Sequence, residues 1–172
     1  MANTYTLISS NVLSSSAASV TFSAIPSTYT DLVVRWSGRT DTAAATPAVY
    51  LQLNGDTGTN YSYVALEGTG SAASSFLAGT NAFVHIGRES GSTATANTFG
   101  SGEVYIPSYT ASQNKPVGAI GMGENNATAA IMDATAGLWR NTAAITSVTL
   151  YPAASGNFVS GSSFYLYGIK NS

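Results

Sequence analysis

The stretch Ala48–Glu67, AVYLQLNGDTGTNYSYVALE, restricts the fold of this chain more than any other. Val49, Leu51 and Leu53 alternate with Tyr50 and Gln52, the period-two pattern of a strand with one buried face. NGDTGTN follows, rich in residues that tolerate positive φ or bond their own backbone, so the chain reverses there. Tyr61, Tyr63 and Ala65 then alternate with Ser62, Val64 and Leu66. The pattern predicts an antiparallel hairpin whose loop is longer than the tightest two-residue turns.

Most of the remaining chain repeats this grammar. Tyr5–Ile8 and Val20–Phe22 read as short strands, with Ser9–Ser19 too polar for a core and therefore a connection or a bound arm. In Asp31–Trp36, Leu32, Val34 and Trp36 point one way and Asp31, Val33 and Arg35 the other. Gly38–Pro47 reads as a loop, Gly68–Asn81 as a long small-residue loop, and Gly87–Thr98 as an exposed tip. Ala82–Ile86, Thr98–Pro107, Pro116–Met122, Ile145–Tyr151 and Ser163–Ile169 read as strands, Thr98–Pro107 being the return strand beyond the tip. Ala127–Ala136 has helical propensity, but Gly137, the β-branched Thr128 and Thr135 and its strand neighbours favour a strand. Aromatics on both faces of Ser163–Ile169 suggest a central strand or a subunit interface.

The expectation is an all-β chain, an antiparallel β-sandwich of jelly-roll-like form with about ten short strands. Residues 1–172 form one domain, with 1–19 as an N-terminal strand or arm. Its expected core is Leu32, Val34, Trp36, Val49, Leu51, Leu53, Val104, Ile106, Val148, Leu150 and Leu166.

Charge makes up 8% of the chain, against roughly 25% in an ordinary soluble domain. Either Ser, Thr, Asn and Gly keep the surface soluble, or partners cover it; a mixture of both is expected. A net charge of −2 gives no electrostatic footprint for nucleic acid. With no cysteine, neither a disulfide framework nor a thiolate metal site can form. No apolar run reaches the roughly 18 residues that span a bilayer, so no membrane partner is expected. MANTYTLISSN lacks the basic flank and apolar core of a secretory signal, which predicts cytoplasmic synthesis.

The residues that carry chemistry are sparse. His85 is the only histidine and shares a strand face with Phe83, with no G-x-S-x-G elbow in the chain; it reads as a structural or surface histidine. Glu67 and Glu103 sit near strand ends, yet solvated rim charges explain them better than a glycosidase pair. Asn54–Asn60 resembles a calcium loop, but Asp56 is its only carboxylate and an ordinary turn fits better. The sequons at Asn60 and Asn126 carry no weight without a secretory route. No enzyme activity and no cofactor is expected.

Three stretches, FSAIPSTYTDLVVRWSGR, LQLNGDTGTNYSY and LWRNTAAITSVTLYPAASGNFVSGSSFYLYGIK, together resemble structural proteins of tailed bacteriophages. The closing phrase, with Asn157-Phe158, Gly161-Ser162 and Leu166-Tyr167-Gly168-Ile169, carries the resemblance best. It implies a β-sandwich module on the outside of a virion, assembled in the host cytoplasm. Such modules include capsid decoration (cement) proteins and tail or fibre modules. The first expected role is a decoration protein that binds the major capsid protein of the assembled shell and stabilises it by mass action. The alternative is a tail or fibre receptor-binding module, with Tyr61, Tyr63 and Tyr109 contacting host glycan or protein. Tyr50, Tyr105, Tyr165 and Tyr167 fall opposite the expected core. Interfaces are enriched in tyrosine, so these four are the expected contacts of a homotrimer, the state that the resemblance implies.

Overall fold

The computed structural model describes residues 4–170. These form twelve strands: β1 (Tyr5–Val12), β2 (Val20–Phe22), β3 (Asp31–Gly38), β4 (Ala48–Leu53), β5 (Tyr61–Gly68), β6 (Ala73–Asn81), β7 (Val84–Arg88), β8 (Gly100–Ile106), β9 (Lys115–Glu124), β10 (Ala130–Trp139), β11 (Val148–Pro152) and β12 (Ser163–Ile169). They make an antiparallel β-sandwich. One sheet has eight strands in the order β1-β12-β3-β8-β9-β10-β5-β6; the other has four, β2-β11-β4-β7. The chain switches sheets at each of its first four connections, the jelly-roll-like habit.

Between the sheets, alternation does what period two requires. Leu32, Val34 and Trp36 of β3, Val104 and Ile106 of β8 and Leu166 of β12 face Val49, Leu51 and Leu53 of β4 and Val148 and Leu150 of β11. All eleven expected core residues are buried. Burying a side chain of this size contributes about 1.5–3 kcal/mol.

The opening hairpin is not a hairpin. β4 pairs with β11 and β7, whereas β5 pairs with β10 and β6, so the turn between them arches from one sheet to the other. The reversal itself is as expected: Asn54 and Gly55 adopt φ of 54° and 64°, and the Asp56 amide donates to the Leu53 carbonyl. Alternation reports which face of a strand is buried, not which strand lies beside it. The Tyr61 hydroxyl spans the arch, accepting from the Leu53 amide at 3.0 Å and donating to its carbonyl at 3.2 Å. The same correction applies to β7 and β8, which also lie in different sheets.

Three stretches depart from the expectation. The first strand runs on through Ser9 to Val12, its serines exposed rather than buried. Gly68–Asn81 contains β6, the outermost strand beyond β5; an edge strand has little face to bury and so shows no apolar alternation. In the expected exposed tip, Glu89, Ser90 and Gly91 are buried. The Ala-rich stretch is strand, as its flanking residues suggested.

The eight-stranded sheet curls at one end. His85 pairs with Tyr50 across β4 and β7 and points out of the four-stranded sheet. There it meets Asp133, Tyr63 and Phe76 from the inward face of β10, β5 and β6, which fold over the β7 edge. The curl needs close backbone approach, and glycine supplies it. A Cβ on Gly87, whose φ is +134°, would lie 2.4 Å from Cα of Gly121 on β9.

Candidate interaction surface

Beyond the packed core, two places in the molecule collect groups that chemistry or binding could use. The first is the outer face of the eight-stranded sheet. Outward positions carry Met122 and Ile120 on β9, Met132 on β10, Val64 and Leu66 on β5 and Leu77 on β6, all exposed. Leu66 is 63% exposed and Leu77 76%. Small outward residues, Gly118 of β9 with Ala134 and Ala136 of β10, lie between the larger Val64 and Leu66 on one side and Glu103 and Tyr105 on the other. The result is a groove of about 490 Å³ with mostly aliphatic walls.

Two polar pairs on this face satisfy each other. Arg35 donates to Glu103 at 2.6 Å, which raises the guanidinium pKa further. Tyr105 donates to Asp31 at 2.8 Å, a bond that, with the Asp31 charge, pushes its phenol pKa up. Both pairs are internal, so neither needs a partner.

Of the four tyrosines expected at an interface, Tyr105, Tyr165 and Tyr167 share this face. Tyr50 does not. It lies on the outer side of the four-stranded sheet, stacked on Phe83 at 3.9 Å and edge-on to Tyr151 at 5.7 Å. Burial in that cluster raises the Tyr50 phenol and pushes Tyr151 up to about 12. The tyrosines of the receptor-binding alternative are not available for stacking: Tyr61 and Tyr109 are fully buried, and Tyr63 packs among Phe76, Phe83 and His85.

The second place is a charged cluster beneath the curl. His85 Nε2 lies 2.6 Å from Asp133 Oδ2, and both side chains are buried. Arg88 Nε is 3.3 Å from the same Asp133 oxygen, while its Nη2 bonds Glu67. Rings of Tyr50, Tyr63 and Phe76 enclose the imidazole. The histidine–carboxylate pair so enclosed fills the space beneath the curl. Glu67 and Glu103 lie on opposite faces of the eight-stranded sheet, so they cannot flank one bond. Next to the cluster, Glu89 is 0% exposed and neither of its oxygens has a hydrogen-bond partner. Desolvation raises its pKa well above the ordinary 4.5.

Most of the sparse charge of the chain is spent internally. Asp41 holds Asn157, and Asp56 accepts from Trp139 Nε1 at 2.7 Å, from Asn60 and from the Gly58 amide. These bonds, Trp139 first, lower the Asp56 pKa and occupy the carboxylate that a calcium loop would need. Glu124 caps Thr95 and Asn126, while Arg39 and Arg140 donate to backbone carbonyls. Lys115 is buried and donates to the carbonyls of Ala111 and Gln113. Among the described residues no group of three or more acids and histidines is placed to hold a metal ion.

No protein-family model and no curated protein matches the sequence. Among solved structures, the chain is similar to the galectin LEC-6 of Caenorhabditis elegans. The TM-score is 0.33 at 7% identity, covering 98% of this chain and 96% of the galectin. That likeness carries no ligand or partner over to this chain.

Proposed function

We propose that the chain is a structural protein of a tailed-bacteriophage virion, a capsid decoration protein that lays the outer face of its eight-stranded sheet on the assembled shell. The observation that supports this reading most is the face itself. Val64, Leu66, Ile120, Met122 and Met132 stand exposed together on one surface. Contiguous apolar patches beyond a few hundred Å² on a soluble protein mark interaction sites. With nearly every charge tied inside the chain, little remains on this face to repel a protein partner.

The expected partner is the major capsid protein in its assembled form. A protein that binds the lattice and not its free subunits stabilises the lattice by mass action, by about 2.7 kcal/mol per site at a hundredfold excess over Kd. No bond is made or broken, and no cofactor is needed. A glycan would demand several unsatisfied polar groups around an aromatic platform. The groove walls are mainly aliphatic, and its Arg35–Glu103 and Tyr105–Asp31 pairs satisfy each other. A protein surface therefore suits the face better than the sugar of the receptor-binding alternative.

The test is quantitative mass spectrometry of purified particles of the virus that encodes the chain. Hundreds of copies per particle are expected. A few to tens would point to the tail, and absence from the particle would remove the reading. Ile120→Lys, at an exposed position, is expected to abolish binding to undecorated shells while leaving the far-UV spectrum unchanged.

A further inference from the structure

The connection from β7 to β8 starts as a buried layer: Glu89, Ser90 and Gly91 are all buried. Backbone bonds seam it to the connection between β3 and β4. The Thr40 amide donates to the Ser90 carbonyl at 2.9 Å, and the amides of Glu89, Gly91 and Ser92 donate to the carbonyls of Pro47, Ala45 and Thr42. Three glycines make the bed for Glu89. A Cβ on Gly38 of β3 would lie 2.3 Å from Glu89 Oε2, one on Gly100 of β8 2.6 Å from Glu89 Cα, and one on Gly123 of β9 3.0 Å from the Glu89 carbonyl. Side chains at those positions would fill the space that Glu89 takes.

Into this bed the chain puts a carboxyl with nothing to hold its charge. Neither oxygen has a hydrogen-bond partner, and Trp36 Nε1, on the indole edge that flanks the same Gly38, has none either. The charged groups of the surrounding elements are engaged elsewhere. On β3 and β8, Arg35 bonds Glu103 and Asp31 accepts from Tyr105. On β9, Lys115 donates to the carbonyls of Ala111 and Gln113, and Glu124 accepts from the amides of Thr95 and Asn126. In the loops, Arg39 donates to the carbonyls of Ala94, Thr95 and Thr98, and Asp41 holds Asn157. On the other side of β7, Arg88 pairs with Glu67 and Asp133, which also meets His85.

We propose that Glu89 is a pH-operated latch: neutral, it lies in the glycine bed with the seam closed; ionised, it leaves the bed and takes the start of the β7–β8 connection into water. An unpaired carboxylate is too costly to keep enclosed. The way out is short. Glu89 lies just beyond β7, and from Ser92 to Asn97 only Ala94 is buried. Opening breaks the seam bonds and no pairing within either sheet, and connections of this kind belong to the low-stability end of local unfolding. Burial raises the carboxyl pKa well above 4.5 in the closed form, whereas the open form returns it to the ordinary value. Above that value opening therefore releases a proton. The open fraction grows by up to about tenfold per pH unit until the closed-form pKa is reached. The latch stands whether or not the chain is a virion protein.

Hydrogen exchange of single amides, corrected for the pH dependence of the exchange chemistry, reads the latch directly. The reporters are the seam amides of Thr40, Gly91 and Ser92, against the amides between β3 and β12. In the wild type the seam amides are expected to be at least about tenfold less protected than the β3–β12 amides, since they open without the sheets. Their protection is expected to fall as pH rises from about 5 to about 8, by up to about tenfold per unit. Glu89→Gln, neutral throughout, should hold it flat; Glu89→Met, uncharged and of similar length, serves if the first variant does not fold. Three results would overturn the latch. A flat wild type would mean that the bed accommodates the ionised carboxylate, with Trp36 Nε1 turned to it. An equal fall in wild type and variant would place the titration elsewhere. Equal protection of seam and β3–β12 amides would mean that the segment opens only when the whole sandwich does.

Discussion

The sandwich encloses two compartments built by different rules. Under β12, β3 and β8 the filling is uncharged and mainly aliphatic: Leu32, Val34, Val104, Ile106 and Leu166, with Trp36 and Phe164, against Leu51, Leu53, Val148 and Leu150. Under the curl of β10 and β5 the filling is ionic and aromatic: His85, Asp133, Arg88 and Glu67 in contact, walled by Tyr50, Tyr63 and Phe76. The first compartment needs only the right period and roughly the right volume, and tolerates change within those limits. The second needs named partners at named positions, because a buried charge that loses its partner is costly. The difference teaches where this fold is specified loosely and where it is specified tightly.

The largest expected effect falls on the tight side. Gly87→Ala adds a Cβ 2.4 Å from Gly121 Cα at a φ of +134°. Overpacking and backbone strain together should cost about 4 kcal/mol or more. For a domain of this size that lowers the melting temperature by about 10 °C. A drop of under two degrees would mean that the curl is loose and the contrast between compartments false.

Asp133→Ala comes next, at about 3–5 kcal/mol by urea denaturation, since it strips His85 and Arg88 of a shared buried anion. Leu51→Ala, in the aliphatic compartment, should cost about 2–5 kcal/mol through lost burial and the cavity left behind. The contrast sharpens in the repair. Leu51→Met should recover most of that loss, whereas Asp133→Leu, apolar and of similar bulk, should recover little while Arg88 stays charged. Equal recovery at both sites would erase the distinction.

The smallest effect has the opposite sign. Glu89 is buried without a partner, and its pKa in the fold is raised above the ordinary 4.5. A carboxyl with a raised pKa binds its proton more tightly folded than unfolded. Its contribution to stability is therefore complete below pH 4.5 and declines as pH rises toward its folded pKa. Glu89→Gln, neutral at every pH, should flatten that decline: a melting temperature close to the wild type at pH 4 and higher at pH 8. A variant that lost stability equally at both pH values would show that the carboxyl makes a bond which glutamine cannot replace.

The same contrast governs what was legible in the sequence. The aliphatic compartment was readable residue by residue, because Leu51 or Val104 announces its face through its neighbours two positions away. The curl was not. Nothing local marks Asp133 as the partner of His85, 48 residues away, and Gly87, Arg88 and Glu89 look like an exposed turn. The signal was present only in compositional form, as the glycines at 87, 121 and 123 that let backbones approach. Sheet membership was equally hidden, since β4 and β5 show the same alternation whether they pair or arch. The outer face was half legible: Tyr105, Tyr165 and Tyr167 were placed on it, but its aliphatic half was masked by the Ala- and Gly-rich look of β9 and β10.

The Tyr61 hydroxyl bond across the arch has a consequence for how the chain finds its structure. Pairings such as β12 with β3 join residues more than a hundred positions apart, and closing such loops is entropically slow. The arch from Leu53 to Tyr61 closes over eight residues, a span that a chain samples in tens of nanoseconds. It is one of the short routes by which a residue of one sheet can recruit the other. Tyr61→Phe keeps the ring against Trp139 and removes only the tether, so its loss should appear chiefly as slower refolding, with unfolding little changed. The arch is thus a hinge in time, a point from which two separate sheets can begin to become one sandwich.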